Sequence, residues 1–140
     1  MNAQESIPDI RKTVVLNAPI EKVWKAVATS EGIAGWWMPN TFEPVVGHAF
    51  LLHSPHFGDS PCTVTEIDPP HRVAFDWGKD WNLAFELREV DEKTEFTLIH
   101  SGWDPNKATE FGQPHAVVRG IMEGGWTKIV EEALPAYVGA

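Results

Sequence analysis

The C-terminal quarter of the chain sets the strongest constraint on its fold. Val118, Met122, Trp126, Ile129, Ala133 and Tyr137 recur at three- and four-residue steps, and Ile121, Val130 and Leu134 widen the stripe. This spacing predicts one long helix from about His115 to Tyr137. A stripe that wide must be buried against another layer. The segment before it supplies one: Thr41–Val45, His48–His53, Cys62–Asp68, Arg72–Trp77, Asn82–Val90 and Thr94–His100 read as strands. Turn-like residues separate them, including a Ser54–Pro61 loop, Pro69-Pro70, Gly78-Lys79-Asp80 and Asp91-Glu92. Alternation puts Val73, Phe75 and Trp77 on one face, as it does Leu83, Phe85 and Leu87, and Phe96, Leu98 and His100. Such strands are buried on one side only and belong to an antiparallel sheet. Sheet and helix each need the other to cover an apolar face, so the fold class is α+β, with a curved sheet wrapped around the C-terminal helix.

The N-terminal part adds a first strand, Ile10–Leu16, rich in β-branched residues. Pro19 suits the first turn of a helix whose stripe is Ile20, Val23, Trp24 and Val27. Ser30 is placed to cap a second short helix that runs to Gly35-Trp36-Trp37 and stops at Pro39. The expected order is thus one strand, two helices, six strands and a long helix. Residues 1–9 read as a flexible N-terminus and 10–140 as a single domain. Residues 104–114 read as a loop.

Charge and cysteine content exclude several classes of function. With 11 Lys+Arg against 20 Asp+Glu, the formal charge is −9. Phosphate contacts need clustered basic residues, and none are clustered here, so nucleic acid is not an expected partner. Neither a signal peptide nor a membrane-spanning run is read in the sequence. A lone cysteine, Cys62, rules out an internal disulfide and fits a reducing, cytoplasmic setting. Cys62 itself reads as a small buried hydrophobe.

Four stretches together resemble the START-like SRPBCC superfamily: Asn17–Trp37, Val64–Trp77, Phe96–Trp103 and Gly124–Val138. Within it they are most similar to the family named for the activator of the 90-kDa heat-shock protein's ATPase. The shared features are a Pro-initiated helix with Val-Trp, an aromatic pair, a Pro-Pro turn, a His-Ser-Gly strand end and a Gly-Trp on the last helix. The resemblance implies a helix-grip fold that encloses a cavity between the last helix and a strongly bent sheet. It also implies binding of lipids, sterols, polyketides or other apolar molecules; some relatives are cyclases or hydrolases. The eponymous activator carries a separate N-terminal domain that does much of its chaperone binding. This chain is expected to have no room for one, which weighs against a co-chaperone role.

The aromatic residues supply the candidate binding set. Seven tryptophans are many for 140 residues, and tryptophan concentrates in cores, interfaces and ligand pockets. Trp36, Trp37, Phe50, Phe75, Trp77, Phe85, Phe96, His100, Met122 and Trp126 are the expected cavity lining. Adjacent on a helix, Trp36 and Trp37 should face apart, one packed and the other near a pocket mouth or in solvent. Trp77 and Trp81 should pair across a hairpin. His100 is the expected polar group toward a ligand, the other reading being a core histidine satisfied by backbone. Gly124-Gly125 beside Trp126 suggests close approach of a strand or a ligand. Glu66, Asp76, Glu86 and Glu123 show no paired-carboxylate pattern, and Glu86 and Asp76 fall on the outer faces of their strands. Ser54 and Ser101 lie in no nucleophile-elbow context. His53 and His56, with Asp59, resemble a metal cluster only superficially, because a third convincing ligand is missing. No metal and no cofactor are expected. The leading functional expectation is a binding domain for an apolar small molecule, with no evident catalysis. An enzyme acting on such a molecule and a protein-interaction domain are the alternatives.

Overall fold

A computed structural model describes residues 9–54, 58–78, 81–103 and 115–139. The N-terminal residues 1–8, His56 and the 104–114 segment lie outside the described residues. The elements run β1 (Ile10–Leu16), α1 (Ile20–Val27), α2 (Ser30–Trp36), β2 (Ala49–Ser54), β3 (Gly58–Asp68), β4 (Arg72–Trp77), β5 (Trp81–Val90), β6 (Lys93–Ser101) and α3 (His115–Lys128). A π-helical turn, Ile129–Ala133, and α4, Leu134–Val138, continue the last helix. The strands form a six-stranded sheet in the order β1-β6-β5-β4-β3-β2. Every neighbouring pair is antiparallel. The chain therefore leaves one edge of the sheet after β1, crosses through α1 and α2, and returns at the opposite edge as β2. The result is the helix-grip arrangement expected from the sequence.

Two strand expectations change. Thr41–Val45 is not a strand; only Asn40 makes a bridge, to Leu52. Its backbone is held instead by Thr41, whose N–H reaches the Leu51 carbonyl at 3.0 Å and whose Oγ1 accepts from Leu51 N–H at 2.8 Å. The sheet accordingly has six strands rather than seven. The Ser54–Pro61 segment, read as a loop from its Pro and Gly, contains the start of β3, with Gly58 to Pro61 paired to Ser54 to Leu51. Pro61 lacks an N–H but still offers its carbonyl, which accepts from Gly78 N–H at 2.8 Å. The register shift between Val64 and Glu66 is a bulge, which bends a strand and raises its twist. Asp91 and Glu92, at φ 49° and 68°, make the two-residue β5–β6 connection with the positive φ values that tight hairpins favour.

The helical caps also differ from expectation by one residue. Pro19 is the cap before α1 rather than its first residue. Thr29, not Ser30, caps α2, its hydroxyl accepting from Gly32 N–H at 3.0 Å. Ser30 instead donates to the Asn40 carbonyl at 2.8 Å, tying α2 to the chain that follows it.

Buried side chains of the last helix recur every four residues: Trp126, Val130, Leu134 and Val138. On an α-helix each step of four overshoots a full turn by about 40°, so three steps would carry the face about 120° away. The π turn at Ile129–Ala133, closed by Leu134 N–H to the Ile129 carbonyl, widens the helix and restores the alignment. The helix is consequently not uniform, and two stripe members are misplaced by the sequence reading. Ile121 is 69% exposed, and Tyr137 is 41% exposed with its ring over Gly35. Among the described residues, no helix is long and apolar enough to cross a membrane.

Gly124 and Gly125 are exposed, and a Cβ on either would meet nothing within 4 Å. They admit no closely approaching strand. At Gly32 the situation is reversed: a Cβ would lie 2.2 Å from the Lys25 carbonyl oxygen and 2.7 Å from Ala26 Cα. Urea denaturation should therefore separate these positions. Gly124→Ala and Gly125→Ala should each stabilise by about 0.5–1 kcal/mol, whereas Gly32→Ala should destabilise by about 1–3 kcal/mol.

Candidate functional site

The interior contains two aromatic layers. The deeper one is built on the concave face of the sheet by alternate residues of β2, β4, β5 and β6. Phe50 meets Phe75 at 5.1 Å, Phe75 meets Phe85 at 6.1 Å, and Phe85 meets Phe96 at 5.7 Å between ring centroids. Trp36 closes this layer from α2, edge-on to Phe85 and Phe96, and donates its indole N–H to the Ala26 carbonyl at 2.7 Å. All these rings are buried, with their polar atom satisfied. Five of the ten expected lining residues thus form tight core.

The second layer lies at the end of the sheet, beneath the last helix. Trp77 and Trp81 pair across the β4–β5 hairpin at 5.3 Å, as expected. Trp77 also stacks on His100 at 5.2 Å, and Trp37 sits between Trp77 and Trp126 at 5.3 and 4.9 Å. Trp36 and Trp37 stack on each other, 6.1 Å apart with 22° between planes, rather than facing apart. The helical argument fails because Trp37 is the cap after α2, at φ −129° and ψ −87°, and is no longer helical. Met122 is half-buried at the edge of this layer.

Three members were absent from the expected set: Trp81, Trp103 and His115. Trp103 is 4.6 Å from His100 and 4.7 Å from Trp81. It folds back because Gly102 has φ 94°, a conformation open to glycine, and its N–H then reaches the His100 carbonyl at 3.0 Å. A glycine directly before a tryptophan at a strand end was the available signal. His115, buried at the start of α3, lies 5.8 Å from both Trp81 and Trp103, and only the fold brings it there.

His100 is the polar centre of this layer. It is fully buried on β6, and Trp126 Nε1 donates to its Nδ1 at 3.0 Å. An indole N–H can only donate, so Nδ1 is the acceptor and the neutral ring carries its proton on Nε2. Burial pushes the His100 pKa down to about 3, and the positive charge of Arg119 acts in the same direction. The imidazole is neutral at physiological pH. Its Nε2 and the indole nitrogen of Trp81 are both buried and have no hydrogen-bond partner among the described residues. The two rings are 4.9 Å apart and nearly perpendicular.

The remaining candidates lie elsewhere. Arg72 holds Glu66 at 2.8 Å and also pairs with Glu86, so both carboxylates are taken up on the outer face of the sheet. Glu123 lies between Lys12 and Arg119 at 3.7 and 3.3 Å. His53 bonds Asp59 at 2.6 Å. No group of three or more metal-ligating side chains occurs among the described residues. Burial raises the Cys62 thiol to about 12, which leaves no thiolate for nucleophilic chemistry.

A family model described as Activator of Hsp90 ATPase homolog 1-like protein matches residues 17–139. The solution structure of protein BH1534 from Bacillus halodurans is 46% identical, covering 95% of this chain and 98% of that one at a TM-score of 0.86. The solution structure of the Aha1 dimer from Colwellia psychrerythraea is 20% identical, covering 94% and 96% at 0.74. A crystal structure of an HSP90 activator from Plasmodium falciparum, PFC0360w, is 20% identical, covering 87% and 89% at 0.70. The last two likenesses show the fold. No curated protein matches the chain.

Two expectations follow from this geometry. His100 resists protonation in the folded state while an unfolded histidine titrates near 6.5, so the unfolded state binds the extra proton below pH 6.5. Stability from this residue is complete above that value and falls as the pH drops towards 3, by about 2 kcal/mol between pH 6.5 and 5. NMR should show the His100 imidazole failing to titrate down to pH 4. Trp126 is 2% exposed, so Trp126→Ala should cost about 3–5 kcal/mol in chemical denaturation.

Proposed function

The chain belongs to the Activator of Hsp90 ATPase homolog 1-like family, and we propose that it is a binding domain for an apolar small molecule, lipid-like or aromatic, held between the C-terminal helix and the sheet. Family membership supports a ligand-binding domain in general. The finer reading rests on one observation: five of the seven tryptophans, with His100 and His115, converge around a helix whose residues 117–125 bury no side chain fully. Buried anchors bracket the segment, His115 at the start of the helix and Trp126 to Val138 after it. Ahead of Trp126, Val117 and Ile121 face outward and Val118 and Met122 are half-buried. Residues 117–125 thus run past the aromatic layer without fully burying a side chain of their own. Trp37, Trp77, His100, Met122 and Trp126 are the contact residues in this reading, joined by Trp81 and Trp103. Trp36, Phe50, Phe75, Phe85 and Phe96 form the floor.

Aromatic walls with a few convergent polar groups are what apolar ligands require. No nucleophile–base pair accompanies them among the described residues, and binding without transformation is the simpler proposal. Chaperone binding is the second reading, favoured by the family's own description. A thermal-shift and NMR screen of lipids and aromatic metabolites distinguishes the possibilities. At a ligand concentration 100 times its Kd, linkage raises stability by about 2.7 kcal/mol, a Tm increase of roughly 10 °C. Saturable binding, with Trp emission altered and the ligand recovered intact, is the expected outcome. Product formation lost in His100→Ala would make the protein an enzyme. An empty screen with stimulation of a chaperone ATPase would establish the second reading instead.

A further inference from the structure

Resting on that reading of the site, we propose that the ligand is an apolar molecule carrying a hydrogen-bond-accepting oxygen of the carbonyl type, gripped jointly by the His100 Nε2–H and the Trp81 Nε1–H. The argument begins with donor inventory. Trp126 uses its only polar hydrogen on His100 Nδ1 at 3.0 Å, which fixes the imidazole proton on Nε2. Trp103 spends its own on the His100 carbonyl. Trp81 Nε1 and His100 Nε2 are left, both buried and unpartnered among the described residues, on rings 4.9 Å apart. Both are donors, and an indole nitrogen has no capacity to accept.

A buried unmade hydrogen bond is costly, whereas one made in a dry site is strong. The two unmade bonds thus have a defined sign: they call for an acceptor. A carbonyl oxygen has two lone pairs and can take both hydrogens at once. An ammonium or another donor-only group would meet two N–H groups head-on, with Arg119 adding positive charge nearby. The rings of Trp77, Trp103 and Trp126 that pack around His100 make its surroundings apolar, which suits a largely apolar ligand body. Trp126 is therefore a positioning residue: by holding the tautomer, it determines that His100 donates rather than accepts.

The test is a matched ligand pair, tetralin and 1-tetralone, titrated by NMR and Trp fluorescence. The two have nearly the same shape, but the ketone prefers water more strongly, so an apolar site without donors would bind it more weakly. Binding of 1-tetralone about tenfold tighter than tetralin is expected, with no saturable binding of 1-aminotetralin. Long-range proton–nitrogen spectra should show the proton on His100 Nε2, with that nitrogen shifting when the ketone is added. In Trp81→Phe and in His100→Leu the ketone-to-hydrocarbon affinity ratio should fall towards one or below. Trp81→Phe keeps a ring at the hairpin and serves if His100→Leu does not fold. Equal or tighter binding of tetralin would overturn the acceptor inference while leaving apolar binding intact. Failure of both neutral probes to bind would overturn the binding reading and this inference together.

Discussion

Trp126 connects the last helix to the sheet by two means at once. Its ring packs against Trp37 at 4.9 Å and Trp77 at 6.4 Å, and its N–H holds His100 on the strand below. From there the helix runs through Val130, Leu134 and Val138, all buried. The last helix covers its part of the concave face because these side chains stay in line, and they stay in line because of the π turn. Without that turn, a four-residue spacing would rotate the lower anchors out of the interface. The grip of helix on sheet thus depends on one hydrogen-bonded indole and one widened turn.

The separation into two layers follows from this anchoring. Phenylalanines have no polar atom and can fill the concave face completely, as Phe50, Phe75, Phe85 and Phe96 do. Tryptophan and histidine bring N–H groups that must find partners. Where the chain provides one, as for Trp36 with Ala26 and Trp103 with His100, the residue behaves as core. At Trp81 Nε1 and His100 Nε2 no partner stands among the described residues. The interior is therefore apolar and satisfied at one end, and apolar with unused donors at the other.

Much of this was legible in the sequence, and the failures have identifiable causes. Alternation placed Phe75, Phe85, Phe96 and His100 on the inner face because strand periodicity is strict once one face is buried. Arg72–Trp77 matched the observed strand in full, since it alternates cleanly between strong turn signals. The Gly58–Pro61 part of β3 was missed because Gly and Pro signal a turn locally, while the hairpin partner that overrides them lies several residues away. Trp37 was misplaced by assuming the helix continued through it. Met122 and Trp126 were found by helical period, but Tyr137 was not excluded by it, because the π turn at Ile129–Ala133 shifts the phase beyond it, and Ile121, five residues before Trp126, lies off the buried face of the regular helix. His115 could not be found from spacing at all. It reaches the aromatic layer only because the fold docks the start of α3 against Trp81 and Trp103.

A fold of this kind does not by itself specify an activity, since one architecture supports many sites. What distinguishes this chain is the chemistry at the tryptophan end. A purely stabilising core would gain from replacing His100 and Trp81 with apolar rings: each buried donor without a partner costs on the order of 1–3 kcal/mol. Marginal stability makes such a cost substantial relative to the whole. The histidine also contributes a liability at low pH, because its burial opposes protonation. Holding it there through Trp126, in the donating tautomer and beside a second donor, is unfavourable for the free protein and favourable for one that receives an oxygen acceptor. The unmade hydrogen bonds of this layer are thus the strongest physical reason to treat it as a site rather than as packing.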